Sequence, residues 1–312
     1  MTERQQLSHS LIERSLGRFA GWQMTSGRDA ATDREVRSTS GAVLARVTGA
    51  PLGSTEADVL TWLLAQWVQD GCPADGSVRL TMYRLARALY GERASGGARR
   101  LAAEALTNLH QAGVTMTDYD PETGRDIDGR WVDLHLIQRI EYGEELRRLR
   151  FGGHAESTAA LGGLRDESVV IHIDHWLIRR LQVEKLRAWL DWPVQRQLGS
   201  GIGKRLWLFL EPHLAFRAPA SNPEVQLLRL ELTDDVYAQL GANCKERRDN
   251  RKLIRRGMER IVEIDPRYRE WRFKAGKAGA PDELLIGRRT RRSTDVSDAG
   301  SSLEEQLAMA LA

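Results

Sequence analysis

Between residues 54 and 140 the spacing of apolar positions switches repeatedly, and each switch marks an element. "STEADVLTWLLAQWVQDG" places Val59, Leu60, Leu63, Leu64 and Trp67 on one face at helical spacing, with Ser54 or Thr55 as the expected cap. "SVRLT" reads as a short strand; Thr81 then caps the helix "MYRLARALYG", which Gly91 ends. "ERASGGARRLAAEALTNLHQAG" gives a small-residue turn and a further helix, with Leu101, Ala105 and Leu109 expected to face inward. "VTMTDYD" and "RWVDLHLIQRI" alternate as strands joined through "PETGRDIDG" into a hairpin. Helix, strand, helix, helix and hairpin is the order of a winged helix. In that arrangement the last helix enters the major groove and the hairpin flanks it.

The order returns after residue 198. A first helix is expected at 203–214, "EVQLLRLELT" is a strand, and Thr233 caps "DDVYAQLGA". "NCKERRDNRKLIRRGMERIVEI" is a basic helix, and "YREWRFKAGKAGAPDELLIGRR" is a hairpin with a glycine-rich tip. A strand precedes each copy, "AVLARV" at 43–48 and "VVIHI" at 169–173. The expected fold is therefore α+β and mainly helical, with two tandem winged-helix domains carrying β-hairpin wings. The first spans 41–150 and the second 168–289. Around them lie an N-terminal helical or flexible segment (1–40), a linker (151–167) and a disordered tail with a short terminal helix (290–312).

Composition narrows the class. The 312 residues suffice for two domains, and 29% charged against 41% hydrophobic residues is a soluble globular balance. No apolar run approaches a membrane span, and the amphipathic N-terminus lacks a signal-peptide core, so a cytoplasmic protein is expected. Cys72 and Cys244 are too few and too far apart for a disulfide framework or a cysteine-rich zinc site. The net charge is only +3, yet residues 243–260 carry eight Lys/Arg against three acids. A local basic helix in a near-neutral chain points to a polyanion.

Steps of 100° per residue put Ile254, Met258 and Ile261 on the core side of the basic helix and Arg251 near the border. Lys245, Arg248, Lys252, Arg255 and Arg256 spread over the other side. Arginine takes guanine bidentately in the major groove, and cations at the edges neutralise phosphate. Arg247 and Arg251 belong to the same candidate set, Asn250 is a candidate for adenine, and the wing adds Arg272, Lys274 and Lys277. In the first copy Arg93, Ser95, Arg99 and Arg100 cluster at the start of the third helix, where phosphate can be met. Its hairpin turn is acidic (Asp118, Asp120, Glu122, Asp126, Asp128), a poor phosphate clamp. The first domain thus binds DNA by its helix alone, or makes protein contacts such as dimerisation. A solvated charged face is the bland alternative for the basic helix.

Several motifs mislead. "GSGIGKR" at 199–205 suggests a phosphate loop, but Gly199, Gly203 and Lys204 are one residue too close, and Arg205 stands where Ser or Thr must hold magnesium. These glycines are expected to form a turn or hinge at the entrance to the second copy. "DYDPETGRDIDG" has glycine at the seventh position of a calcium loop and Gly129 where Glu is required. In "HIDH", Asp174 is better explained as the cap of "HWLIRRLQ" than as a partner of His172 and His175 in a metal site. Trp62, Trp67 and Trp207 fall on amphipathic faces and are expected in the core. No nucleophile–base pair can be assembled, so a binding protein without cofactor or metal is expected, not an enzyme.

"GAPLGSTEADVLTWLL", "VRLTMYRLARALYGERASGGARRLAAEALTNL" and "WVDLHLI" resemble the first winged helix of plasmid replication initiators of the protein A type. "VVIHIDHWLIRRL" followed by "GSGIGKRLWLFLEPHL" resembles that family's second half, so the likeness spans roughly 40–290. It implies binding to double-stranded DNA at repeated origin sites, duplex opening and loading of host factors such as an initiator, helicase or sliding clamp. It also allows a homodimer, and places the protein with the plasmid and nucleoid. A winged-helix transcriptional regulator is the alternative, though two modules and a tail leave little room for a sensor domain. In that tail Ser301 or Ser302 is expected to cap "LEEQLAMALA", whose apolar stripe loosely resembles sliding-clamp peptides.

Overall fold

The computed structural model describes residues 9–19, 21–22, 34–37, 43–92, 94–119, 126–141, 168–182, 187–213, 216, 225–242, 244–277 and 280–289. Among these the fold is mixed α/β, with helices set against small antiparallel sheets. The chain begins with β1 (His9–Glu13), α1 (Arg14–Arg18), β2 (Arg34–Arg37) and β3 (Val43–Thr48). Then come α2 (Ser54–Gln69), β4 (Ser77–Thr81), α3 (Met82–Tyr90) and α4 (Gly96–Gln111). Strands β5 (Gly113–Tyr119), β6 (Asp126–His135), β7 (Ile137–Glu141) and β8 (Ser168–Ile173) lead to α5 (His175–Gln182).

Helix α2 is buried all round from Glu56 to Trp67, which makes it the axis of the first half. Its N-cap is Gly53 rather than Ser54 or Thr55. The Gly53 amide donates to the Glu56 carboxylate at 2.9 Å. The Ser54 hydroxyl is engaged elsewhere, donating to the Gly199 carbonyl at 3.2 Å and accepting from Lys204 Nζ at 2.9 Å. Thr81 and Gly91 bound α3 as the sequence predicts, and Ser95, expected at phosphate, is the N-cap of α4. Thr81 accepts from the Arg84 amide, Ser95 from that of Ala98, and Gly91 ends α3 at φ +87°. Ala105 and Leu109 are buried as expected, but Leu101 is 46% exposed; Ala102 and Leu106 fill the inner face instead.

Hairpin β5–β6 joins the four-stranded sheet β2–β3–β5–β6, but β4 does not. Strand β4 pairs with β8, Val78 opposite Ile171, and β8 pairs with β7. "VVIHI", expected at the head of the second copy, therefore completes a sheet of the first. Val169, Ile171 and Ile173 alternate inward and are buried beside Val78 and Leu80, so the pairing closes a shared apolar face.

The second half comprises β9 (Arg187–Asp191), α6 (Trp192–Leu198), α7 (Ile202–Leu210), β10 (Val225–Leu232), α8 (Asp234–Gln239), α9 (Arg247–Ile264), β11 (Tyr268–Lys274) and β12 (Asp282–Arg289). Helix α7 stops short of the expected residue 214, because Pro212 has no amide proton to continue the ladder. Strands β10, β12 and β11 form one antiparallel sheet in that order. Within the N-terminal segment, expected to be helical or flexible, β1 pairs with β9, and Ile12, Leu16, Phe19 and Trp22 are buried. One hydrophobic core runs through both halves and contains Trp62, Trp67 and Trp207.

Candidate nucleic-acid interface

Helix α9 is fixed on its inner side by Ile254, Gly257, Met258 and Ile261, all buried. It crosses α7 closely. A Cβ on Gly257 would lie 3.3 Å from Leu206 Cδ2, and one on Gly203 would lie 3.2 Å from the Arg260 stem. The turn before α9 is closed by Asn250, which accepts from the Cys244 amide at 2.8 Å and donates to the Cys244 carbonyl at 3.3 Å. Asn250, a sequence candidate for adenine, is thus committed to shaping the helix start.

Arg251 lies at the border, as helical geometry predicts; Arg247, one turn earlier, lies beside it, and both turn toward Asp282 at the start of β12. Arg251 donates Nε and Nη2 to the two Asp282 oxygens at 2.9 and 2.8 Å. Arg247 reaches the same carboxylate at 3.2 Å and the Ala280 carbonyl at 2.9 Å. Tyr237 of α8 donates its hydroxyl at 2.8 Å, and the Gly276 amide donates at 2.7 Å. Asp282 is fully buried. Burial alone would raise its pKa, but hydrogen bonds from Arg251, Gly276 and Tyr237 and the charge of Arg247 outweigh that and hold it at about 2.

The solvent side of α9 and the turn before it carry the other candidate cations. Lys245, Arg248, Lys252, Arg255 and Arg256 are all exposed. Lys252 meets Asp249 at 2.9 Å across an exposed turn, a weak pairing in water. The Arg255 guanidinium sits 4.9 Å from the centre of the Phe273 ring, linking the helix to β11. On that hairpin Arg272, Lys274 and Lys277 are exposed, with Glu283 3.7 Å from Lys274. Cations in the first turns of a helix oppose its macrodipole, so this distribution is unfavourable for α9 alone and favourable once an anion approaches.

The first half offers less. Arg93 and the hairpin tip 120–125 lie outside the described residues. Ser95 is spent as the cap of α4 and Arg100 is exposed. Arg99 is half-buried, its Nε without a hydrogen-bond partner among the described residues.

The glycine-rich turn is a joint. Gly199 and Gly201 adopt φ +66° and +110°, conformations that side chains resist. Lys204 is 1% exposed, 2.6 Å from Asp58, and the same carboxylate holds Arg196 at 2.7 Å and Gln195 at 2.8 Å. Arg205, also buried, donates to the carbonyls of Gly17, Phe19 and Gln239. The lysine and arginine of "GKR" thus tie α2, α1 and α8 to α7, and the tightly held segment does not present the geometry of a free hinge. Asp174 accepts from the Trp176 amide at 2.8 Å as a cap does. Among the described residues no cluster of His, Cys, Asp and Glu could hold a metal ion, and no helix is long and apolar enough to cross a membrane.

Sequence reasoning found the basic face and its border but missed Asp282, Tyr237 and Phe273. An acid after Pro281 in a hairpin carries no sign that its partners lie on two earlier helices.

No protein-family model matches the chain, and no curated protein matches it in sequence. Among solved structures it is similar to a selenomethionine derivative of domains 2 and 3 of RctB. The identity is 12% and the TM-score 0.49, over 86% of this chain and 94% of that one. It is also similar to the Pi initiator protein in complex with iteron DNA, at 8% identity and a TM-score of 0.45, over 77% of this chain and 95% of that one.

Proposed function

We propose that this chain is a sequence-specific, double-stranded-DNA-binding plasmid replication initiator that recognises repeated origin sites and recruits host replication proteins. One observation carries the DNA-binding part. The outer face of α9 gathers Arg248, Lys252, Arg255 and Arg256 in its first three turns, with Lys245 in the turn before, contiguous through Phe273 with the basic strand β11. The order α7, β10, α8, α9 and hairpin β11–β12, with β12 between β10 and β11, supports reading this half as a winged helix. Helix α9 then lies in the major groove, its N-terminal half toward the bases, and the hairpin follows the phosphates. The likeness of residues 40–290 to protein A-type initiators in sequence motifs supports the initiator role.

In this reading the α9 cations do the recognition, and the first half adds α4 or a contact to a second copy. The test is fluorescence anisotropy with duplexes from the replicon that encodes the protein. Tandem direct repeats beside an AT-rich tract are expected to bind roughly a thousandfold tighter than unrelated duplex of equal length. Preference for an inverted repeat in a promoter would make the protein a regulator. Equal affinity for all duplexes would defeat sequence-specific recognition.

A further inference from the structure

The basic residues of α9 do not form one set. Arg251 spends Nε and one terminal nitrogen on both oxygens of a fully buried carboxylate. That side-on grip uses one edge of its guanidinium and fixes the plane and direction of the whole group. Arg247 is likewise turned inward, bridging Asp282 and the Ala280 carbonyl of the hairpin loop. Arg248, Lys252 and Arg255 face outward one, two and three turns along the helix.

We propose that Asp282 is a positioning residue for DNA recognition. By holding Arg247, Arg251, Tyr237 and the Gly276 amide together, it locks the hairpin loop against the first turns of α9. Arg247 and Arg251 then act through it and not on DNA. This rests on the DNA-binding reading of α9. The physical basis is pre-organisation. Groove and backbone contacts made by two separate elements must be ordered relative to each other, and whatever ordering is complete before binding need not be supplied by the binding energy. One helical turn beyond Arg251, Arg255 on Phe273 makes a second link between α9 and the hairpin on the solvent side. Helix and hairpin are therefore joined at two successive levels.

The salt dependence of binding separates positioning from contact. Each phosphate neutralised by a cation contributes about one to the slope of log affinity against log salt, whereas a residue that only positions others contributes none. In the full chain, on a duplex of its own origin repeats, Arg251→Lys is expected to weaken specific binding about tenfold with the slope unchanged. Lysine keeps the charge but loses the two-pronged grip on Asp282. Arg247→Ala should behave alike, while Lys252→Ala flattens the slope by about one. Wild-type affinity for Arg251→Lys, or a slope flattened by about one in Arg247→Ala, would overturn the assignment. Failure of the underlying reading looks different: wild-type protein would then show neither preference for the repeats nor steep salt dependence. Asp282→Asn should reproduce Arg251→Lys. If that variant does not fold, the two arginine variants decide the question, since both side chains are partly solvent-exposed.

Discussion

The ammonium of Lys204 lies 2.6 Å from a carboxylate oxygen of Asp58, and both side chains are buried. The pair bolts α7 to α2, and with it the second half to the first. Burial pulls the Lys204 pKa down against the opposing pull of Asp58. Arg196 and Gln195 complete the carboxylate's shell, so removing the lysine does not strip Asp58 of partners.

Lys204→Ala should therefore cost about 3 kcal/mol of stability, and Asp58→Ala more, since it leaves a buried ammonium unpaired. Urea unfolding of the two variants checks the order. A loss below about 1 kcal/mol in both would mean that the pair does not hold the joint. Neither wild type nor Lys204→Ala should bind ATP in equilibrium dialysis, because the glycine turn is a joint and not a phosphate cradle.

Gly201 has φ +110° and ψ −170°, a region almost closed to residues with a Cβ, although nothing crowds the position. Gly201→Ala should lower stability by about 1–3 kcal/mol through backbone strain alone. A melting temperature equal to wild type would show that the turn relaxes freely.

Much of this was legible in the sequence, and the limits are physical. Caps such as Thr81 and Thr233 announce themselves because their bond is made three residues away. The buried face of α9 follows from the 3.6-residue period, which places Ile254, Met258 and Ile261 together. Strand β8 was misplaced because pairing depends on partners distant in the chain, and an alternating apolar strand fits either sheet. Leu101 was misjudged because Ala102 and Leu106 share its apolar pattern, one step round the helix. Asp282 was invisible as a hub because periodicity says nothing about which carboxylate two border arginines will find.

The Asp282 clasp sets an acid limit. Its folded pKa, about 2, lies below the ordinary aspartate value, so its contribution is fully present above about pH 4. That contribution is lost as pH falls from there through about 2. Stability measured against pH should decline over this window in wild type and decline less steeply in Asp282→Asn. Identical slopes for the two proteins would remove Asp282 from the acid response.

Gly257 allows α9 to approach α7, and a Cβ there would already press on Leu206. Gly257→Val should cost about 1–3 kcal/mol by overpacking the crossing. A variant as stable as wild type by thermal unfolding would show that the two helices separate without penalty.

Footprinting on the replicon that carries the gene tests the central claim most directly, using wild type and the Arg248→Ala, Lys252→Ala, Arg255→Ala triple variant. Wild type is predicted to protect a series of tandem repeats. The triple variant, folded to the same melting temperature, should lose that protection and the steep salt dependence with it. Protection by the triple variant equal to that of wild type would contradict the assignment of α9 as the reading helix, and an absence of any protected repeat would contradict origin recognition itself.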